Sequence, residues 1–119
     1  MKIITGGVGK AQVADALKPL LGPGDSVVAS SDMDAALKLR TKQADYYIGT
    51  CHTGAGASLG VLLGMLGSPK CHTFGRTIPT TAETEKQIDN GVVAFGFCVD
   101  HVDDAVPALW AALNNKRKG

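Results

Sequence analysis

An open, doubly wound α/β sheet is what this sequence predicts, on two observations. Five short strand-like segments alternate with five helix-like ones along the whole chain. Most of the strand-like segments are apolar on consecutive residues, which marks strands covered on both faces and therefore a parallel sheet. With 119 residues there is room for one such domain, spanning 1–119. The fold class is thus a Rossmann-like single domain of five mainly parallel strands with helices on both faces.

The elements follow in order. "MKIIT" (1–5) and "SVVAS" (26–30) are β-branched and run into turn residues. Between them Val13, Leu17, Leu20 and Leu21 form a helical stripe, with Pro19 kinking or ending it. Ser31-Asp32-Met33-Asp34 reads as a capped start for a helix carrying Ala36, Leu37 and Arg40. The third strand, "DYYIGT" (45–50), leads into "TCHTGAGAS" (50–58). From Gly56 to Leu66 the chain is apolar all round, which predicts a buried helix. "KCHTF" (70–74) and "GVVAFGF" (91–97) are the last strands, separated by a short polar helix over 81–89. Val102, Val106, Leu109, Trp110 and Leu113 stripe the final helix, with Pro107 expected in or near its first turn.

Composition removes several classes of function. A hydrophobic content of 45% with 19% charged residues describes a globular chain able to bury its own core. The formal net charge of +1 and 5% aromatics give nucleic acid nothing to hold. No signal-peptide pattern opens the sequence, and the longest apolar run, 57–66, is too short to span a bilayer. Three cysteines, an odd number, fit reduced thiols and a cytoplasmic location.

Ligands in doubly wound sheets sit beyond the carboxyl ends of the strands, where the order reverses. The third strand delivers Cys51 to Ser58 to that edge. Gly54 and Gly56 allow successive N–H groups to converge on one point, and the helix that opens near Gly56 adds unpaired amides. Such a field lowers the pKa of a thiol, which makes Cys51 a candidate base or nucleophile. The alternative is a tight turn in which Cys51 is only a small buried residue. "TGGVGK" (5–10) fails the P-loop pattern, since Ala11 follows Lys10, and fails the dinucleotide pattern, since Gln12 stands where a third glycine belongs. Its Gly7 and Lys10 still flank the expected ligand edge.

Each histidine lies close to a cysteine, at 51–52, 71–72 and 98–101, yet no pair has the spacing that marks structural zinc. No metal site is expected. Gly56, Gly60 and Gly64 recur four apart along the third helix and point to close packing, on the sheet or on the same helix of a second copy of the chain. Asp100, Asp103 and Asp104 are explained as capping of the last helix.

Two resemblances extend this. "DMDAALKLRTKQADYYIGTCHTGAGAS" and "GVVAFGFCVDHVDDAVPAL" resemble the YhfU-like bacterial family, whose function is not known. Its members tend to be encoded beside a multi-spanning membrane protein, pyridoxal-phosphate enzymes and a phosphotriesterase-like protein. The resemblance therefore implies handling of a small metabolite and a membrane transport protein as a partner. "CHTGAGAS" is also similar to the Cys-x-Thr-Gly-x-Gly-x-Ser loop of ribose-5-phosphate isomerase B and galactose-6-phosphate isomerases. "NGVVAFGFCV" resembles their fifth-strand segment.

That second resemblance implies proton transfer by Cys51 and an oxyanion hole of amides around Thr53 to Gly56. Asn90 falls where those enzymes also carry an asparagine. They have an Asp-His pair after strand one, where this chain has Gly6-Gly7. Lys10, Arg76 and His101 are the substitutes available for their phosphate-binding residues.

The expected catalytic residues are thus Cys51 and Thr53. The expected ligand-binding set is His52, Gly54, Ala55, Gly56, Ser58, Gly7, Lys10 and Asn90, with no metal and no cofactor. The ligand expected is a small anionic metabolite, a phosphorylated sugar or a carboxylate, and the chain is expected to be a homodimer. Whether it is an enzyme stays open at this point. The alternative is a transport component like the small IIB subunits of sugar phosphotransferases, or a non-catalytic partner of a membrane transporter.

Overall fold

The computed structural model describes residues 1–52 and 59–118. Five strands form one sheet in the order β2-β1-β3-β5-β4: β1 (Lys2–Gly7), β2 (Ser26–Ala29), β3 (Tyr46–Cys51), β4 (Cys71–Thr73) and β5 (Ala94–Cys98). Every pairing is parallel. The mainly parallel sheet expected from consecutive apolar residues is therefore parallel throughout.

Among the described residues four helices connect the strands, α1 (Lys10–Leu17), α2 (Asp32–Arg40), α3 (Gly60–Leu66) and α4 (Thr81–Asp89), and a fifth, α5 (Val102–Lys118), follows β5. Alternation along each strand divides the core in two. Ile3, Ile48, Phe95 and Phe97 join Val13 and Leu17 of α1 and Val106, Leu109 and Leu113 of α5 on one face. Ile4, Tyr47 and Ala94 join Ala35, Ala36 and Leu39 of α2 and Leu62 of α3 on the other.

Local chemistry sets the helix ends. Ser31 accepts the Asp34 N–H and Thr80 the Glu83 N–H, so α2 and α4 both start at side-chain caps. Pro19 does end the first helix; α1 stops at Leu17 and a single 3-10 turn over Lys18–Leu20 follows. Pro107 sits in the second turn of α5, because a 3-10 turn at Val99–His101 precedes the helix. At the opposite end, the buried Asp25 carboxylate takes the Met1 ammonium and the Arg117 guanidinium. Their hydrogen bonds, Arg117 first, hold its pKa far below the usual carboxylate range.

One expectation fails. The segment predicted as an all-round buried helix from Gly56 begins, within the described residues, at Gly60 and is buried on one side only. Leu62 is enclosed, whereas Gly60, Leu63 and Gly64 face outward and Leu63 is 41% exposed. A wholly apolar helix marks burial only when something covers both of its faces, and α2 and the sheet cover just one.

Leu17→Ala should therefore cost about 2–5 kcal/mol by denaturant unfolding. In the monomer Leu63→Ala, at an exposed position, should stay within about 0.5 kcal/mol. Equal losses would show that α3 is enclosed in the folded chain.

Candidate functional site

Strand order reverses between β1 and β3, so the carboxyl ends of β1, β3 and β5 form the edge where a doubly wound sheet holds its ligand. Cys51 is the last residue of β3 and stands at that edge, 8% exposed, with the exposed His52 beside it. Residues 53–58 lie outside the described residues, and with them the expected roles of Thr53, Gly54, Ala55, Gly56 and Ser58.

Directly beneath Cys51 runs a row with no side chains. The register aligns Gly6, Gly49 and Gly96 across β1, β3 and β5. All three face α2 and α3, as Tyr47 and Cys51 do. A Cβ at Gly6 would lie 2.6 Å from Asp32 Oδ1 and closer still to the Tyr47 hydroxyl; one at Gly96 would lie 3.1 Å from Leu59. The row thus makes space on the Cys51 face for a polar pair on one side and an apolar side chain on the other.

The polar pair is a hydrogen bond of 2.6 Å from the Tyr47 hydroxyl to Asp32 Oδ1. Tyr47 is fully buried. Burial, reinforced by Asp32, pushes its phenol well above the ordinary tyrosine range, so it remains a protonated donor at any physiological pH. Asp32 is delivered by the first turn of α2, directly after its Ser31 cap.

On the opposite face of β3, Thr50 anchors the loop after β1. Its hydroxyl accepts the Gly9 N–H at 2.8 Å, and its carbonyl accepts the Val8 N–H at 3.1 Å. Gly7 has a φ of +83°, and a Cβ there would overlap the Thr50 carbonyl oxygen. The glycines of "TGGVGK" therefore let the turn press against β3, and two of its amides are consumed in doing so. Lys10 opens α1 at the same edge with its side chain exposed.

The remaining candidates divide. His101 and Arg76 meet at the carboxyl edge, where His101 Nε2 lies 2.9 Å from the Arg76 carbonyl oxygen. Asn90 does not join them. It is the residue after α4 and precedes β5, which places it at the amino edge of the sheet, away from Cys51. A groove of about 510 Å³ between α1 and the start of α5 carries Asp15, Asp100 and Asp103, the wrong sign for an anion. Among the described residues no three His, Cys, Asp or Glu side chains are grouped to hold a metal ion.

Residues 1–113 match the family described as "Protein of unknown function DUF2620". The chain belongs to that family. It is 36% identical over 110 residues to "Uncharacterized protein YhfU" of Escherichia coli strain K12, covering 91% of this chain and 94% of that one. The match to YhfU of Shigella flexneri has the same extent and identity. Among solved structures it is similar to ribose-5-phosphate isomerase B of Clostridium thermocellum, with a TM-score of 0.62 and 16% identity over the full length of both chains. At that identity the likeness is one of fold. This DUF2620 chain is accordingly a Rossmann-like domain with the same fold as that protein.

Neither the glycine row nor the Asp32–Tyr47 pair was anticipated from the sequence. A usable signal was present: β3 and β5 both end in Gly-x-Cys, at 49–51 and 96–98.

Replacing Tyr47 by Phe removes the donor held against Asp32 and should cost about 1–3 kcal/mol of stability in denaturant unfolding. Asp32→Asn keeps an acceptor and should cost less. Should Tyr47→Phe prove neutral, the pair does not hold this edge together.

Proposed function

We propose that the chain binds a small phosphorylated or carboxylated metabolite at the carboxyl edge around Cys51, in the cytoplasm. In this reading Cys51 moves a proton between adjacent carbons of the bound sugar. The observation that carries it is the position of Cys51 at the end of the central strand, at the reversal of strand order. The solved isomerase of the same fold, and the similarity of "CHTGAGAS" to the isomerase loop, support the same choice of chemistry.

The chemistry is aldose–ketose exchange through an enediolate. Cys51, as thiolate, takes the proton beside the carbonyl and returns it to the neighbouring carbon. The amides of 53–56 are the proposed donors to the enediolate oxygen. Lys10 and Arg76, with exposed side chains at this edge, supply cations for the anionic group, assisted by His52 and His101. Asn90, at the far edge, has no part in it.

The second reading, a IIB-like phosphoryl carrier working with a membrane transport protein, is favoured by one feature. His52 is exposed beside the nearly enclosed Cys51, as an acceptor meeting a donor protein needs to be.

Incubation in D₂O with a panel of aldose and ketose phosphates, followed by NMR, should show loss of the proton next to the carbonyl. Cys51→Ser should abolish that exchange. No exchange with any sugar, together with transfer of label from a phosphorylated donor protein to His52, would replace the isomerase reading with the carrier one.

For the outward face of α3 the proposed partner is a second copy of the chain. On α2, Asp32 and Asp34 open the helix and Lys38 and Arg40 close it, with the half-exposed Met33 and Leu37 between them. Laid antiparallel on its copy, this helix joins the half-exposed Met33 and Leu37 of the two chains. The neighbouring Gly60 and Gly64 have nothing of their own chain within 4 Å of a Cβ. Gly64→Ala should therefore raise monomer stability by about 1 kcal/mol and yet weaken the dimer in sedimentation. A dimer unaffected by it would exclude α3 from the interface.

A further inference from the structure

The register of the two central strands brings together a pair of side chains that the proposed chemistry uses only in part. Cys51 and Cys98 are directly opposite in the β3–β5 ladder, and each is the last residue of its strand. Their side chains face the same side of the sheet, the side of the glycine row and α3. Both are enclosed, at 8% and 4% exposure, and no disulfide joins them. The Cys98 thiol donates to the carbonyl of His52 at 3.2 Å, so it already touches the segment that leaves Cys51. Cys71 is excluded from this pairing, because it lies opposite Ala94, four residues down β5 from Cys98.

We propose that Cys51 and Cys98 form a reversible disulfide in the presence of a hydroperoxide, a redox site that takes the thiol of Cys51 out of use. Neighbouring strands run about 4.8 Å apart, inside the Cα separation a disulfide accepts but wider than its preferred Cβ separation. Closing the bond must draw the two strand ends together. That is feasible at the last rung, beyond which the ladder makes no demand. The residual strain makes the bond easy to reduce, as regulatory disulfides are and structural ones are not. Reversible disulfides of this kind are also the sort found in reducing compartments.

The chemistry balances on the two thiols. The Cys51 thiolate attacks the hydroperoxide, the O–O bond breaks, and Cys51 becomes a sulfenic acid as water or an alcohol leaves. The sulfur of Cys98 then attacks that of Cys51. The S–S bond forms, the S–O bond breaks, and the hydroxyl departs as water with the Cys98 proton. Two thiols have supplied the two electrons that reduced the peroxide. A dithiol reductant reverses the state by thiol–disulfide exchange. In the oxidised form Cys98 no longer donates to His52, and Cys51 has no lone thiolate to act as base. The effect on the site rests on the proposed role of Cys51; the bond itself does not.

The full-length protein, reduced and then treated with hydrogen peroxide, is alkylated and digested without reductant. Mass spectrometry should find the Cys51 and Cys98 peptides joined with the loss of two hydrogens, Cys71 alkylated, and the link removed by dithiothreitol. Cys98→Ser and Cys98→Ala should abolish the link and let Cys51 proceed to sulfinic acid, whereas Cys71→Ser should change nothing. A link through Cys71, a link between chains, or three alkylated thiols after peroxide would each overturn the proposal, and the unmutated chain alone decides this. The D₂O exchange of the reduced protein is read separately. Linking without exchange keeps the redox site and removes the isomerase reading, and exchange without linking does the reverse.

Discussion

Three adjacent strands carry no side chain in one register row, and the carboxyl edge is built on that vacancy. Gly6, Gly49 and Gly96 lie side by side. Elsewhere on this face the strands present Ile4, Tyr47 and Ala94 to the helices. One rung higher the row is bare, so Leu59 at the foot of α3 can press on Gly96, and Asp32 can lean over Gly6 to meet the Tyr47 hydroxyl. Glycine in a strand interior costs entropy and forfeits packing, and it persists where another group must come close. Here the close groups are Leu59, Asp32 and Tyr47. The opposite face shows the same economy on a smaller scale: Thr50, wholly buried, binds the β1–α1 turn through its hydroxyl and its carbonyl.

The fold was legible because its signals are local and mutually consistent. Strands apolar on consecutive residues implied a parallel sheet, and the caps at Ser31 and the stop at Pro19 act as their chemistry dictates. What could not be read is whatever depends on register. Asp32 and Tyr47 are fifteen residues apart and belong to different elements. Only the packing of α2 over β1 and β3 brings them together. The same holds for Cys51 and Cys98, although the repeated Gly-x-Cys ending hinted that two strands finish alike. Asn90 shows the converse. Its place in a familiar-looking segment suggested a site role, but a residue before a strand and a residue after one occupy opposite edges of a parallel sheet.

The long apolar stretch into α3 illustrates a limit of periodicity. An all-apolar helix has no polar face to orient it, so the sequence does not reveal how many of its sides are covered. The sheet and α2 account for Leu62 and leave Leu63 and Gly64 facing outward.

The two glycines that end β1 have a physical cause in this chain. A side chain at position 6 would collide with the Tyr47 hydroxyl and the Asp32 carboxylate, and one at position 7 would run into the Thr50 carbonyl with φ at +83°. The edge is nevertheless not without a carboxylate. It receives one from the first turn of α2, held by a tyrosine that burial keeps protonated. A side chain at position 6 and the Asp32–Tyr47 pair exclude one another by steric overlap. The carboxylate on this face of the sheet therefore comes from α2, in place of a group at the end of β1.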